Sequence, residues 1–189
     1  MKIGIFGGTF NPIHLGHLLL AETAREALSL DRVVFIPAAV PPHKPSKALL
    51  SGEVRLKLIE LAIKGNPGFV ASSIELERAG PSYTIQTVEM LHSQLPQAKL
   101  FLIVGEDMLS VAWRSWKQLK QLCTIAAAHR PQAKTSRQSG IRYLPMPQVE
   151  ISSTDIRQRL TAGKSVRYLL PSAVAQHIYQ HQLYQKRPA

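Results

Sequence analysis

Hydrophobic positions along this chain fall into two patterns. Short runs that are apolar throughout alternate with longer stretches in which apolar residues return every three or four positions. Apolar runs of this kind mark strands at 2–6, 33–36, 100–104 and 123–128, and further strands are read over 69–76 and, briefly, near 142–144. A run without polar alternation suits a strand of a parallel sheet, covered on both faces. Helical spacing covers 15–28, 52–64, 84–95, 115–122, 154–162 and 172–181. In the first of these Leu15, Leu18, Leu19, Ala21, Ala24 and Leu28 recur at that spacing. In the second, Ser51 is the predicted N-cap, with Val54, Leu58, Leu61 and Ala62 facing inward. Pro96 closes the third helix, and Pro171 stands at a first-turn position of the last. Four prolines between residues 37 and 47 predict a loop, because proline cannot sit in a helix interior. Residues 129–141 are basic and irregular. Strands alternating with helices predict one mostly parallel sheet with right-handed crossovers, in a single domain over residues 1–189. Sheets of this kind bind ligands beyond the carboxyl ends of their strands.

Composition narrows the class. Hydrophobic residues make 45% and charged residues 19%, which excludes a disordered chain. No apolar run approaches the roughly 18 residues of a membrane span. The opening Met1-Lys2-Ile3-Gly4-Ile5 lacks the apolar stretch of a signal peptide. The one cysteine, Cys123, allows neither an internal disulfide nor a Cys-rich metal site. A soluble cytoplasmic protein without a membrane partner is expected.

Charge is unevenly placed. Residues 1–112 carry ten Lys or Arg and ten Asp or Glu, whereas residues 113–189 carry thirteen against Glu150 and Asp155 alone, so the net +11 lies entirely in the last part. A one-signed field points to a polyanionic partner: a polyphosphate, a nucleic acid or an anionic surface. No aromatic residues interleave the basic positions over 130–142, and no nucleic-acid motif is present. A nucleic-acid partner is therefore not expected.

Candidate chemistry sits where the first strand ends. Gly7-Gly8-Thr9-Phe10-Asn11-Pro12-Ile13-His14-Leu15-Gly16-His17 combines a glycine turn, small polar groups and two histidines three residues apart at a helix start. That spacing puts both imidazoles on one face. A helix N-terminus already favours phosphate through its N–H groups and dipole, and imidazoles there can stabilise charge building on phosphoryl oxygens. The pattern is neither a dinucleotide-binding G-x-G-x-x-G nor a P-loop, and two histidines alone do not make a zinc site. A second cluster, Ile151-Ser152-Ser153-Thr154-Asp155-Ile156-Arg157, presents hydroxyls and N–H groups at another helix start. Arg157 offers it a forked donor for phosphate.

Together, G-G-T-F-N-P-I-H-x-G-H and I-S-S-T-x-I-R resemble the nucleotidyltransferase superfamily of adenylyl- and cytidylyltransferases. Within it the chain is similar to the bacterial nicotinate-nucleotide adenylyltransferases. Pro41-Pro42-His43-Lys44, Arg78-x-Gly80-x-Ser82-Tyr83-Thr84, Gly105-x-Asp107, His129-Arg130-Pro131, Tyr168-Leu169-Leu170-Pro171 and Leu183-Tyr184 extend the similarity nearly end to end. The resemblance implies an α/β fold, a Rossmann-like parallel sheet flanked by helices with a small C-terminal helical portion. It implies transfer of the adenylyl group of ATP to nicotinate mononucleotide, with Mg²⁺ and no covalent enzyme intermediate. By position, His14 and His17 are the catalytic pair. Gly7, Gly8, Thr9, Phe10, Arg130, Ser153, Thr154 and Arg157 join them in binding ATP. Asn11, Lys44, Tyr83, Thr84 and Asp107 fall on the mononucleotide. A tryptophan should stack on the pyridine ring; Trp113 and Trp116 compete for that place, and Trp116 is preferred. Asn11 stands where many relatives have Asp, Gln86 where Asp is frequent, and Glu106 where a small or neutral residue is usual. Related transferases with an amide mononucleotide or phosphopantetheine as acceptor are the nearest rivals, and an inactive relative is a third.

Overall fold

The computed structural model describes residues 1–41, 49–111, 113–128, 138–147 and 149–185. Lys44 and Arg130 lie outside the described residues. Six strands, β1 (Lys2–Gly8), β2 (Arg32–Pro37), β3 (Phe69–Ala71), β4 (Lys99–Gly105), β5 (Thr124–Ala128) and β6 (Ile141–Leu144), form one sheet in the order β3-β2-β1-β4-β5-β6. All five pairings are parallel. The helices are α1 (Leu15–Leu28), α2 (Gly52–Ile63), α3 (Thr84–Gln94), α4 (Trp116–Leu122), α5 (Ser153–Thr161) and α6 (Ser172–Gln180).

The period of two within each apolar run sorts its side chains to opposite faces. Ile3 and Ile5 of β1, Leu100 and Leu102 of β4, and Ile125 and Ala127 of β5 pack with Ile85, Val88 and Leu91 of α3 and Leu119 of α4. Phe6, Phe35, Ile103, Ala126 and Ala128 point the other way, into a cluster with Leu20, Ala24, Leu58, Ile156, Val174 and Ile178. Both faces are covered, which is why these strands carry no polar alternation.

The chain reverses its direction of winding between β1 and β4, and the crevice beyond their carboxyl ends opens there. Residues after Gly8 and after Gly105 therefore meet. A one-turn 3-10 helix, Glu106–Ser110, follows β4, and the apolar pattern does not forecast it.

Two expectations need correction. The run 69–76 is a strand only as far as Ala71. Ser72 Oγ accepts the Ile74 N–H at 3.3 Å, and the Ser73 carbonyl accepts from Leu76 and Glu77 at 2.7 and 3.2 Å, so serine-based turns take over from the ladder. In α2 the buried positions are Arg55, Leu58, Ile59 and Ile63, whereas Val54, Leu61 and Ala62 are half-buried. The helix is rotated so that an arginine faces inward. In α1 the buried positions are Gly16, Leu20, Ala21, Ala24 and Leu28, leaving Leu15, Leu18 and Leu19 half-buried.

Cys123 is buried between α4 and β5 and donates to the Leu119 carbonyl at 3.2 Å. Burial pushes its thiol up to about 12. The folded state thus favours the neutral thiol, while the unfolded chain ionises near pH 9. This contribution to stability is complete below about pH 9 and is lost as pH rises toward 12. Iodoacetamide at pH 8 is expected to leave native Cys123 unmodified and to label it readily in denaturant. Equal labelling of both states would contradict this burial.

Candidate active site

The β1–α1 loop is built to hold an awkward shape. Phe10 is buried although its φ is +46°, a left-handed conformation uncommon outside glycine. Its ring lies against Phe6 with centroids 5.4 Å apart, perpendicular, and against Phe35 at 5.9 Å. Gly8 makes room for it: a Cβ there would sit 3.0 Å from the Phe10 ring. Gly16 does the same for His14, since its Cβ would come within 3.2 Å of Nδ1. The glycine between the histidines is thus a packing requirement of the first imidazole.

The two imidazoles are stacked, with centroids 3.6 Å apart and planes 25° apart. His14 is 2% exposed and His17 half-buried, and both line the same cavity. His17 Nδ1 accepts the His14 backbone N–H at 3.2 Å, and the edge of Phe10 supports its ring at 5.0 Å. A neutral imidazole that accepts at Nδ1 carries its hydrogen on Nε2, so His17 offers a donor on that nitrogen.

The second cluster arrives from the far end of the sheet. Ser152 caps α5 by accepting the Asp155 N–H at 3.1 Å. Ser153 Oγ donates to the Pro12 carbonyl at 2.9 Å, and Arg157 Nη1 donates to the Asn11 carbonyl at 2.8 Å. Arg157 Nη2 also donates to Thr154 Oγ1 at 3.2 Å. The start of α5 is therefore tied directly to the histidine loop, and Ser153, Thr154 and Arg157 line the cavity with His14 and His17.

That cavity has a volume of about 380 Å³, within the usual range for small-molecule sites. Gly7, Gly8, Thr9, Phe10, Asn11, Tyr83, Thr84 and Asp107 line it as well. Ser82 is buried, and its Oγ accepts the backbone N–H groups of Ala39 and Val40 at 2.8 and 3.3 Å, joining the Ser-Tyr-Thr segment to the chain after β2. Of the two tryptophans, Trp113 lines the cavity, whereas Trp116, the one preferred from the sequence, does not. Ser115 takes a left-handed conformation before α4, and the Trp113 indole N–H donates to the Met108 carbonyl at 2.6 Å, which turns Trp113 toward the site. Trp116 packs beside it with centroids 5.6 Å apart. Gln86 is exposed and Glu106 is 2% exposed, and neither lines the cavity.

Sequence reasoning missed several residues. Arg55 is 1% exposed, and its guanidinium donates to the carbonyls of Leu50, Thr9 and Ala38 at 2.9, 2.8 and 2.7 Å. Burial lowers its pKa from the usual arginine value. The three carbonyls belong to three separate segments around the cavity rim, so one side chain holds them together. Glu75 is buried in the lining and accepts from Thr87 Oγ1 at 2.6 Å. Arg114 lines the cavity and lies over the Tyr83 ring at 4.5 Å. Of these, only Arg55 left a trace in the sequence, as a charged residue on an otherwise apolar helical stripe.

Known proteins share this chain's sequence family and its fold. The model of the cytidylyltransferase-like family matches residues 5–159. The chain is 43% identical over 185 residues to the "probable nicotinate-nucleotide adenylyltransferase" of Shouchella clausii, covering 97% of this chain and 96% of that one. It is 44% identical over 188 residues to the protein of the same name from Thermus thermophilus, covering 97% and 100%. Among solved structures, the nicotinic acid mononucleotide adenylyltransferase of Plasmodium falciparum in complex with NaAD has the same fold, with a TM-score of 0.82 at 16% identity over 97% of each chain. A putative nicotinate-nucleotide adenylyltransferase from Vibrio parahaemolyticus gives 0.72 at 24% identity, covering 98% and 96%.

Proposed function

The chain belongs to the cytidylyltransferase-like family, and within it to the nicotinate-nucleotide adenylyltransferases; from that premise we infer how its site carries out adenylyl transfer in NAD biosynthesis. The reaction joins ATP and nicotinate mononucleotide into nicotinate adenine dinucleotide and releases pyrophosphate. The observation that carries this reading is a single cavity lined by the histidine pair and by Ser153, Thr154 and Arg157. A 5′-phosphate oxygen of the mononucleotide attacks the α-phosphorus of ATP in line. The bond from that phosphorus to the bridging oxygen breaks, and the pyrophosphate leaves with the electron pair. No protein nucleophile is needed, because such chemistry depends on positioning and charge stabilisation. Cys123, the one strong potential nucleophile, is buried away from the site.

Each residue has a task in this reading. Gly7, Gly8, Thr9 and Phe10 shape the floor beneath ATP. His14 and His17 hold its phosphates and meet the charge that grows on them. Ser153 and Thr154, at the opening of α5, bind phosphate oxygens, and Arg157 braces the departing pyrophosphate. Asn11 lies between the two nucleotides, Asp107 meets ribose hydroxyls, and Tyr83 and Thr84 hold the pyridine end, where first-turn N–H groups of α3 favour a carboxylate. Lys44 and Arg130, outside the described residues, are assigned to the mononucleotide and to ATP by the sequence resemblance alone. The described residues contain no cluster of three or more His, Cys, Asp or Glu able to cage a metal. Mg²⁺ brought in with ATP would supply counter-charge for the phosphates, and Asp107, an exposed carboxylate of the cavity lining, is the residue that could meet it. We read residues 1–189 as one such domain, since contacts to the histidine loop come from as far along as Arg157 and Tyr184. No helix among the described residues is long and apolar enough to cross a membrane, and the cytoplasm is the proposed place of action.

The test combines purified protein, ATP, Mg²⁺ and nicotinate mononucleotide and follows pyrophosphate. Turnover is expected with the acid mononucleotide, and no exchange of pyrophosphate into ATP without it. Failure with both the acid and the amide mononucleotide would remove the reading. Trp113→Ala should raise KM for the mononucleotide about tenfold through lost stacking, with KM for ATP within about twofold; Trp116→Ala should change neither. Steady-state kinetics in each substrate decides between them.

A further inference from the structure

We propose that Tyr184 is a positioning residue for adenylyl transfer, an inference that rests on the reaction given above. Tyr184 does not line the cavity, yet its phenol donates to Asn11 Oδ1 at 2.7 Å across 173 positions of sequence. The Leu50 backbone N–H donates to the same oxygen at 3.3 Å, which fixes the orientation of the carboxamide. The contacts then run in a circuit. The Asn11 carbonyl accepts from Arg157 Nη1 at 2.8 Å, and the one hydrogen of the Thr161 hydroxyl is shared between the Arg157 carbonyl at 2.9 Å and the Tyr184 carbonyl at 3.0 Å. Tyr184 closes that circuit, and Asn11 and Arg157 are its two members in the cavity wall.

A tail tyrosine that served only to cover the core would need no such geometry. Its backbone is held at φ +63°, the left-handed region that a bulky residue occupies only when its surroundings impose it. Its hydroxyl spends its donor on a side chain of the candidate site. Burial also raises the phenol's pKa above its ordinary value, so it remains a donor throughout the physiological range. Removing the hydroxyl leaves the Asn11 carboxamide, a part of the cavity wall, free of its tail anchor and able to turn.

The experiment is a double-mutant cycle in kcat with Tyr184→Phe and Asn11→Ala, with Tyr179→Phe as an exposed control on α6. Tyr184→Phe should lower kcat roughly tenfold, the upper worth of one such hydrogen bond, with both KM values within about twofold. Asn11→Ala should cost more, and the double variant should be no worse than Asn11→Ala alone. Tyr179→Phe should match the parent. A Tyr184→Phe kcat within twofold of the parent, or full additivity in the cycle, overturns the proposal. A second readout is independent of turnover: solvent exchange of the Leu50 backbone N–H, which donates to Asn11 Oδ1 at 3.3 Å, should speed up about tenfold in Tyr184→Phe and not in Tyr179→Phe. Unchanged exchange overturns the proposal as well. A parent that fails to turn over removes the reaction reading alone, and the exchange measurement then decides the role of Tyr184.

Discussion

Replacing His17 by alanine is expected to lower kcat about a thousandfold while KM for ATP changes by less than about threefold. The asymmetry follows from how the ring is held. Three contacts fix it before any ligand arrives: the His14 N–H on Nδ1, the stack on the His14 ring and the edge of Phe10. A donor fixed in advance costs no reorganisation when charge develops on the phosphoryl oxygens, so its worth is concentrated in the transition state. Single-turnover rates combined with ATP affinity by calorimetry test this directly. A large rise in KM with kcat unchanged would mean that His17 merely binds ATP and takes no part in the chemistry.

Arg55→Met is expected to cost about 4 kcal/mol of folding stability, since it strands buried carbonyls that each lose a charged donor. For a chain of this length that lowers Tm by roughly 12 °C. Arg55→Lys keeps the charge but not the fork that spans three segments, so it should recover less than half of the loss. Urea unfolding followed by circular dichroism provides the comparison. A loss below about 1 kcal/mol in Arg55→Met would show that the carbonyls of Thr9, Ala38 and Leu50 find other partners. At temperatures where the variant remains folded, KM should rise for both substrates, because the brace supports the rim on both sides of the cavity.

These two residues differ in how openly the chain displays them. His17 stands in a pattern whose parts make sense only together: glycines before it, a second imidazole three positions back, a helix about to begin. Arg55 has no such company. A periodicity argument counts apolar residues, so it placed Val54 on the inner face and passed over Arg55. The error came from judging a side chain by its class without asking where carbonyls would converge. The strands were legible because a sheet covered on both faces demands unbroken apolar runs, as in 100–104. The early end of β3 was not legible, because the Ser72 hydroxyl takes the Ile74 N–H and the Ser73 carbonyl turns to Leu76 and Glu77, local choices that composition does not display. The choice between Trp113 and Trp116 depends on a left-handed Ser115 and a 3-10 turn, both local backbone decisions without a strong sequence mark. The convergence of Ser153 and Arg157 on the histidine loop was legible only as a resemblance between separated motifs.

The ties from α5 to the β1–α1 loop join Pro12 to Ser153 and Asn11 to Arg157. During synthesis the loop leaves the ribosome early, and the groups that anchor it follow more than a hundred residues later. Until then a growing chain displays the two imidazoles without the Ser153 and Arg157 contacts, and the wall of the cavity stays incomplete. Cleavage anywhere between the two halves that lets them drift apart should silence the protein even where each half keeps its strands.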